Sequence, residues 1–345
     1  MKKSLVALAA LAATSAFAQF SIDGNMDVGY QSINYKGNTV TGIGNNGANT
    51  SQINFRGTED LGGGLRASFR VETDWNTVSN KGNTGSVSSP VTLGEETVAA
   101  ASTFGNGEIR AGIAGGFGSI NAGAVNYNTL GTYLTGQPFG TAIGSGFRTL
   151  YVNDAQSTSQ VRSDNSLMYV SPSFSGLNVS VYYAGKQTKA AQTTATATAS
   201  AVKSTSFGGL GAYDMQGTTE LGMNYVNGPL AASYSNLKQD YKDVGTGTTD
   251  STVNTLGVNY AMGATKLYFL NQTNKTNTGS TNNRVTTVSI MHTMGAVDLM
   301  AQVGSLENAA GVKSNMTGLG ANYNLSKTTN LYFLSLIQIS EPTRH

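Results

Sequence analysis

Apolar and polar residues alternate along almost the whole chain from Phe20 onward, in runs separated by turn signals. In residues 217–240, GTTELGMNYVNGPLAASYSNLKQD, one beat is held by Leu221, Met223 and Tyr225. Asn227-Gly228-Pro229 then turns the chain, and Leu230, Ala232, Tyr234 and Asn236 resume the beat. VNTLGVNYAMGATKLYFLNQTNK repeats the design around Ala261-Met262-Gly263-Ala264, and RVTTVSIMHTMGAVDLMAQVGSLEN repeats it around Met294-Gly295-Ala296. A period of two with short turns predicts antiparallel hairpins. The connections at the opposite ends are longer and polar, as in KQDYKDVGTGTTDST and NQTNKTNTGSTNNR. Short turns at one rim and long loops at the other predict an all-β, antiparallel up-and-down transmembrane barrel. Strands of about ten residues suffice for a tilted crossing.

The stretch 51–72, SQINFRGTEDLGGGLRASFRVE, fits this plan and adds charge. Ile53 and Phe55 share one face, with Asn54 and Arg56 on the other. After the turn, Leu65, Ala67, Phe69 and Val71 share a face, opposite Arg66, Ser68, Arg70 and Glu72. A phosphate-cradling glycine loop leads into a helix. Here strands flank the glycines, so GTEDLGGGL reads as a tight barrel turn. A charge facing lipid at mid-depth costs about 2–4 kcal/mol, which sends Arg56, Arg66 and Arg70 to the lumen. In EIRAGIAG, Ile109, Ala111 and Ile113 take the lipid beats, so Arg110 points inward with Glu108. Arg162, in RSDNSLMYV, shares a beat with Asp164 and Ser166, opposite Leu167 and Tyr169. Such a ladder makes a positive wall, and rings of one charge sign set pore selectivity.

The first eighteen residues, MKKSLVALAALAATSAFA, stand apart: a positive n-region, an apolar core and an Ala-Phe-Ala cleavage site make a secretory signal peptide over 1–18. No mature segment has eighteen consecutive apolar residues, so no transmembrane helix is expected. Export, together with strands polar on one face, favours a lipid-embedded barrel over a soluble sandwich with inward apolar faces. Only 12% of the chain is charged, and it holds 43 Gly and no Cys. Absent thiols exclude disulfides and cysteine-based metal or redox chemistry. Without Lys2 and Lys3 the 21 basic residues become 19, against 19 acidic ones. That balance disfavours nucleic acid as a partner.

Four stretches resemble the general diffusion porins of Gram-negative bacteria, particularly the beta-proteobacterial group. They are Gly57 with EDLGGGL (59–65), Ala67, Phe69 and Glu72; IRAGIAGGFGSINAG (109–123); NSLMYVSPSFSGL (165–177); and NYNLSKTTNLYF (322–333). The resemblance implies a water-filled, sixteen-stranded outer-membrane barrel, a homotrimer set in lipid and lipopolysaccharide, passing small hydrophilic solutes and ions without a cofactor. It also implies a third external loop folded inward as a constriction. Residues 126–160 have the length and position for it and carry Arg148 and Asp154. Residues 76–97 correspond to the second loop, which latches onto a neighbour in such trimers. The family usually has arginine where Ala124 stands, which weakens the positive wall.

The chain's end departs from the family. Such barrels finish in an aromatic residue, whereas Asn330-Leu331-Tyr332-Phe333 runs on into LSLIQISEPTRH. The count from Phe20 is about fifteen strands, odd where single-chain bacterial barrels are even. The expectation is therefore a barrel over 19–333 lacking its closing strand, followed by a non-native tail over 334–345. Other chemistry is sparse. The mature chain has only His292 and His345, with no serine and acid set placed around His292 and no metal-ligand spacing. Trp75 and the tyrosines near strand ends, including Tyr30, Tyr183, Tyr225, Tyr260 and Tyr332, read as girdle anchors. The alternative function is a surface adhesion or binding barrel acting through its external loops.

Overall fold

Arg56 and Arg70 face each other across the β4–β5 hairpin, and the turn between them is Gly63-Gly64. Gly62, Gly63 and Gly64 all have positive φ, between 61° and 80°, which only glycine adopts without strain. The expected barrel turn is thus built. The structure is a computed structural model that describes residues 19–35, 38–75, 77–78, 104–145, 161–185, 213–243, 247–276, 283–307 and 311–340. The expected signal peptide, nearly all of the expected second loop, residues 146–160 with Arg148 and Asp154, and residues 341–345 lie outside the described residues.

The strands in chain order are β1 (Gln19–Asn25), β2 (Val28–Tyr35), β3 (Asn38–Asn45), β4 (Gln52–Gly62), β5 (Leu65–Asp74), β6 (Ile109–Gly115) and β7 (Gly118–Asn126). A helix, α1 (Asn128–Thr135), and a 3-10 turn, Ile143–Ser145, follow. Then come β8 (Arg162–Val170), β9 (Leu177–Ala184), β10 (Tyr213–Asn227), β11 (Leu230–Asp243), β12 (Gly247–Met262), β13 (Thr265–Thr276), β14 (Asn283–Met294), β15 (Val297–Glu307), β16 (Lys313–Asn324) and β17 (Asn330–Ser340). Fifteen of them form one antiparallel sheet in chain order, with β1 joined to β4; β2 and β3 make a separate hairpin. Very short turns at one rim alternate with longer connections at the other, as the pattern predicts.

Strict alternation leaves β1 and β17 pointing the same way, and among the described residues no ladder joins them. A side-chain bond links the two ends instead. The Tyr332 hydroxyl donates to Asp27 Oδ1 at 2.6 Å. The Asp27 carboxylate also accepts the N–H groups of Gly47, Ala48 and Asn49, so it ties the base of the β2–β3 hairpin to β17. Tyr332 is therefore turned inward to a carboxylate rather than out to a girdle. Leu334–Ser340, expected to lie beyond the barrel, continue β17 in register with Gly320–Ser314.

The outer face locates the lipid. On β10 its last apolar residue toward the long-loop rim is Leu221. The hydrogen-bonded row through Leu221 runs Asn236, Asn254, Thr273, Arg284, Glu307 and reaches Lys313 on β16. On β16, however, the apolar edge is Leu319, six residues further down the strand than Lys313, after six steps across the sheet. The edge slips by one residue per strand. With a rise of about 3.3 Å and a spacing of about 4.8 Å, that slip is a tilt of about 35°.

Above this edge the strands exchange faces. Asn236, Lys238, Asn254, Thr273 and Arg284 take the outward beats, while Leu237, Val253, Val285 and Met316 are buried inside. Val125, Tyr127, Tyr182, Ala184, Leu237 and Val253 form one internal cluster. Phe139, Ala142 and Met300 form another, with Leu334 packed against it. Below the edge the outside is apolar, as lipid requires, and the inside carries polar residues such as Ser233, Asn259 and Ser289, with Met300 buried under the loop segment.

Candidate functional site

Ladder pairing turns the predicted arginines into a row. Arg56 pairs with Arg70 and Arg70 with Arg110, so three guanidinium groups lie side by side on β4, β5 and β6. One beat toward the long-loop rim runs an acidic row: Asp23 pairs with Asn54 and Asn54 with Glu72, and the Glu72 N–H donates to the Glu108 carbonyl. Arg56 Nε meets Asp23 Oδ2 at 2.6 Å. Arg70 pairs with Glu72 and, at 2.7 Å, with Glu108. It also donates from Nε and Nη2 to Asn54 Oδ1. Arg110 Nε lies 3.5 Å from Glu108 and its Nη1 donates to Asn121. Each row neutralises the other, and about 7 Å of strand separates them, less than a Debye length in physiological salt.

Two predicted arginines stand elsewhere. Arg66 is exposed beside the glycine turn, paired across the hairpin with Asp60. At β8 the register shifts between Ser163 and Ser166, and Asn165 takes a φ of 51°. This bulge buries both serines and puts Arg162 one residue off the beat it was expected to share with Ser166. Arg162 instead donates to Asn126 Oδ1 at 2.9 Å and to the Asn106 carbonyl.

Residues 127–145, which follow β7, lie against the opposite half of the inner wall. Tyr127 starts it, edge-on to Tyr182, bonded to Ser163 and receiving Gln239 Nε2. Burial pushes the Tyr127 and Tyr133 phenols up, so both remain neutral hydrogen-bonding groups. Tyr127 offers α1 no side-chain cap. Glu220 on β10 supplies one from the wall. Its Oε2 accepts the Asn128 N–H, and its Oε1 accepts the N–H and hydroxyl of Thr129, each at 2.6 Å. Thr129 meets Ser235, Thr132 meets Ser233, and Asn259 donates to the Thr135 carbonyl. At the far end Gln302 donates to the Ser145 carbonyl.

Glycines in the wall make this contact possible. A Cβ on Gly257 would overlap the Thr132 carbonyl oxygen, and one on Gly318 would overlap that of Gly144. Residues 126–145 contain no charged side chain, so this part of the loop turns Leu130, Gly131, Leu134 and Thr135 away from the wall. His292 is on the outer face, its Nδ1 2.8 Å from Thr265 Oγ1. Among the described residues no group of three or more metal-ligating side chains occurs.

Sequence reading found the arginine row, Glu72 and Glu108. It missed Asp23 and Glu220. Both occupy inward beats, in SIDGN and TTELG, but their partners lie 33 and 91 residues away, so no local pattern marks them.

A tilted antiparallel sheet with an apolar outer belt, a charged inner wall and a loop folded along that wall defines a water-filled channel protein of the barrel class. Similarity then specifies the family: residues 4–333 match the Gram-negative porins, and the chain belongs to that family. It is 33% identical to outer membrane porin protein 32 of Delftia acidovorans, over 96% of this chain and 88% of that one. It is 27% identical to an outer membrane porin protein of Bordetella pertussis, over 96% of this chain and 93% of that one. Its fold matches an anion-selective porin from Comamonas acidovorans with a TM-score of 0.69 and 25% identity, covering 95% of this chain and 91% of that one. The protein is an outer-membrane porin through which small hydrophilic solutes diffuse passively. Family and fold are those of a channel rather than an enzyme, and they do not favour the adhesion reading.

Proposed function

We propose that this porin is weakly anion-selective and that Arg56, Arg70 and Arg110 are the residues that make it so. The observation that carries this is unequal exposure across the two rows. The side chains of Glu72 and Glu108 are 9% and 8% exposed, whereas those of Arg56 and Arg110 are 37% and 29% exposed. Glu72 and Glu108 compensate from behind, Arg70 is 15% exposed between them, and at Arg110 water in the pore meets guanidinium first. Asp23, half-exposed, offsets Arg56 and keeps the preference weak. Arg66, at the turn rim, adds an entry charge. Arg162 braces the wall at its other end. Arg148 and Asp154 belong to the proposed constriction loop, 126–160. The similarity to a porin described as anion-selective supports the sign.

The proposal includes export by the 1–18 signal peptide, a barrel over 19–333 that β17 carries on to Ser340, assembly as a homotrimer among outer-membrane lipid and lipopolysaccharide, and transport without a catalytic step or cofactor. A shallow outer hollow lined by Gly57, Ala67, Phe69, Ala111, Ile113 and Ala122 supports packing against a neighbouring barrel.

The test is recording of the refolded protein in a planar bilayer under a potassium chloride gradient. Stepwise conductance with a zero-current potential of the anion-selective sign is expected. Arg56→Gln with Arg110→Gln moves that potential toward cations. A cation-selective wild type overturns the assignment of the wall, and an insensitive potential in the double variant overturns the choice of residues.

A further inference from the structure

We infer that Glu220 is the positioning residue of the constriction, a charged latch that holds the loop helix against the wall and keeps the pore open at a fixed bore. This rests on the channel reading above. Four observations converge. The described loop segment, 126–145, has no charge of its own, so Glu220 is the one ionisable group among its described wall anchors at α1. Glu220 is 3% exposed, and no described Lys or Arg forms an ion pair with it. Its partners are instead the first free N–H groups of α1, where the helix dipole favours negative charge. The residue that should cap that helix, Tyr127, does not.

A buried carboxylate is held here only by the loop it binds. Lifting the helix trades the three hydrogen bonds to this carboxylate for bonds to lumen water and leaves the first N–H groups of α1 without their cap. Hydrogen bonds to a charged group are stronger than neutral ones, so this contact holds the helix more firmly than the neutral anchors Thr129–Ser235 and Thr132–Ser233 do. Glutamine keeps the size but not the chemistry. Its oxygen serves one N–H, and its NH2 then faces the other donor, so one contact becomes repulsive.

The variant Glu220→Gln is expected to fold and insert while its single-channel current becomes several-fold noisier and closes at lower voltage. Glu220→Asp keeps the charge but falls short in reach, and gives an intermediate trace; it serves as the reading if the glutamine variant does not refold. The chain has no native cysteine. Thr129→Cys with Ser235→Cys, whose hydroxyl oxygens are 2.9 Å apart, therefore gives a clean cross-link. Oxidised in the Glu220→Gln background, the pair restores a quiet open level, and dithiothreitol abolishes that rescue. Wild-type noise and closing voltage in both Glu220 variants overturn the latch. So does a noisy variant that the cross-link fails to quiet, because the moving part is then not the loop. A wild type that makes no pore overturns the channel reading itself, a different outcome from either.

Discussion

Arg70 and Arg110 stand directly opposite one another on β5 and β6 and share a single carboxylate, Glu108, at 2.7 and 3.5 Å. Two like charges in a cross-strand pair repel, and Glu108 with Glu72 makes the juxtaposition tolerable. Glu108→Gln is expected to lower the unfolding free energy by about 3 kcal/mol, because Arg70 is left half-compensated in a buried site. The same change shifts the zero-current potential further toward anions. Urea titration and the salt-gradient recording read the two effects, and a potential that does not move argues that Glu108 is invisible to permeating ions.

The slipped lipid edge makes a sharper demand. Val258 and Thr317 belong to one hydrogen-bonded row, through Phe269, Val288 and Val303, yet they lie on opposite sides of the edge. Val258→Arg should cost about 2 kcal/mol and Thr317→Arg less than about 1 kcal/mol. Equal costs in lipid-vesicle refolding would mean that the belt follows the register and that the tilt is misjudged.

At the sheet's two ends, Tyr332→Phe removes one hydrogen bond to the Asp27 carboxylate and leaves its three backbone donors. Hydrogen bonds to charged groups contribute about 2 kcal/mol. A loss of that size in unfolding free energy, read by urea titration, is expected, with conductance unchanged. No loss would show that the hairpin base is held without β17.

Gly257→Val tests the seat of the loop. The added Cβ meets the Thr132 carbonyl oxygen well inside van der Waals contact, so wall and helix must part. Overpacking of this kind costs about 1–3 kcal/mol. A changed unitary conductance in a barrel that still resists denaturation by detergent is the expected result. An unchanged conductance would place the helix away from Gly257 in the working pore.

The lower halves of the strands were legible because lipid enforces a period of two: Leu221, Met223 and Tyr225 pair across the hairpin with Asn236, Tyr234 and Ala232, as their beats predict. The glycine turn was legible from the strands on either side of it. Three things were not. The β8 bulge moved Arg162 off its beat, since a local extra residue breaks alternation without changing composition. Tyr332 looked like a girdle anchor because an inward tyrosine and an outward one differ only by its partner, Asp27, 305 residues away. Glu220 looked like one polar beat among many, since what it caps is a loop helix in another part of the chain.

The exchange of faces above the lipid edge bears on how the barrel gets into place. The outward side chains nearest the long loops include Lys238, Lys275 and Arg284, and they rest in water once the protein is seated. To reach that side from the periplasm they must each traverse hydrocarbon, at about 2–4 kcal/mol apiece near mid-depth. The same toll opposes the return journey. The charged upper rim thus works as a barb: it slows entry enough to call for assisted insertion, and afterward it keeps the orientation from reversing on any biological timescale.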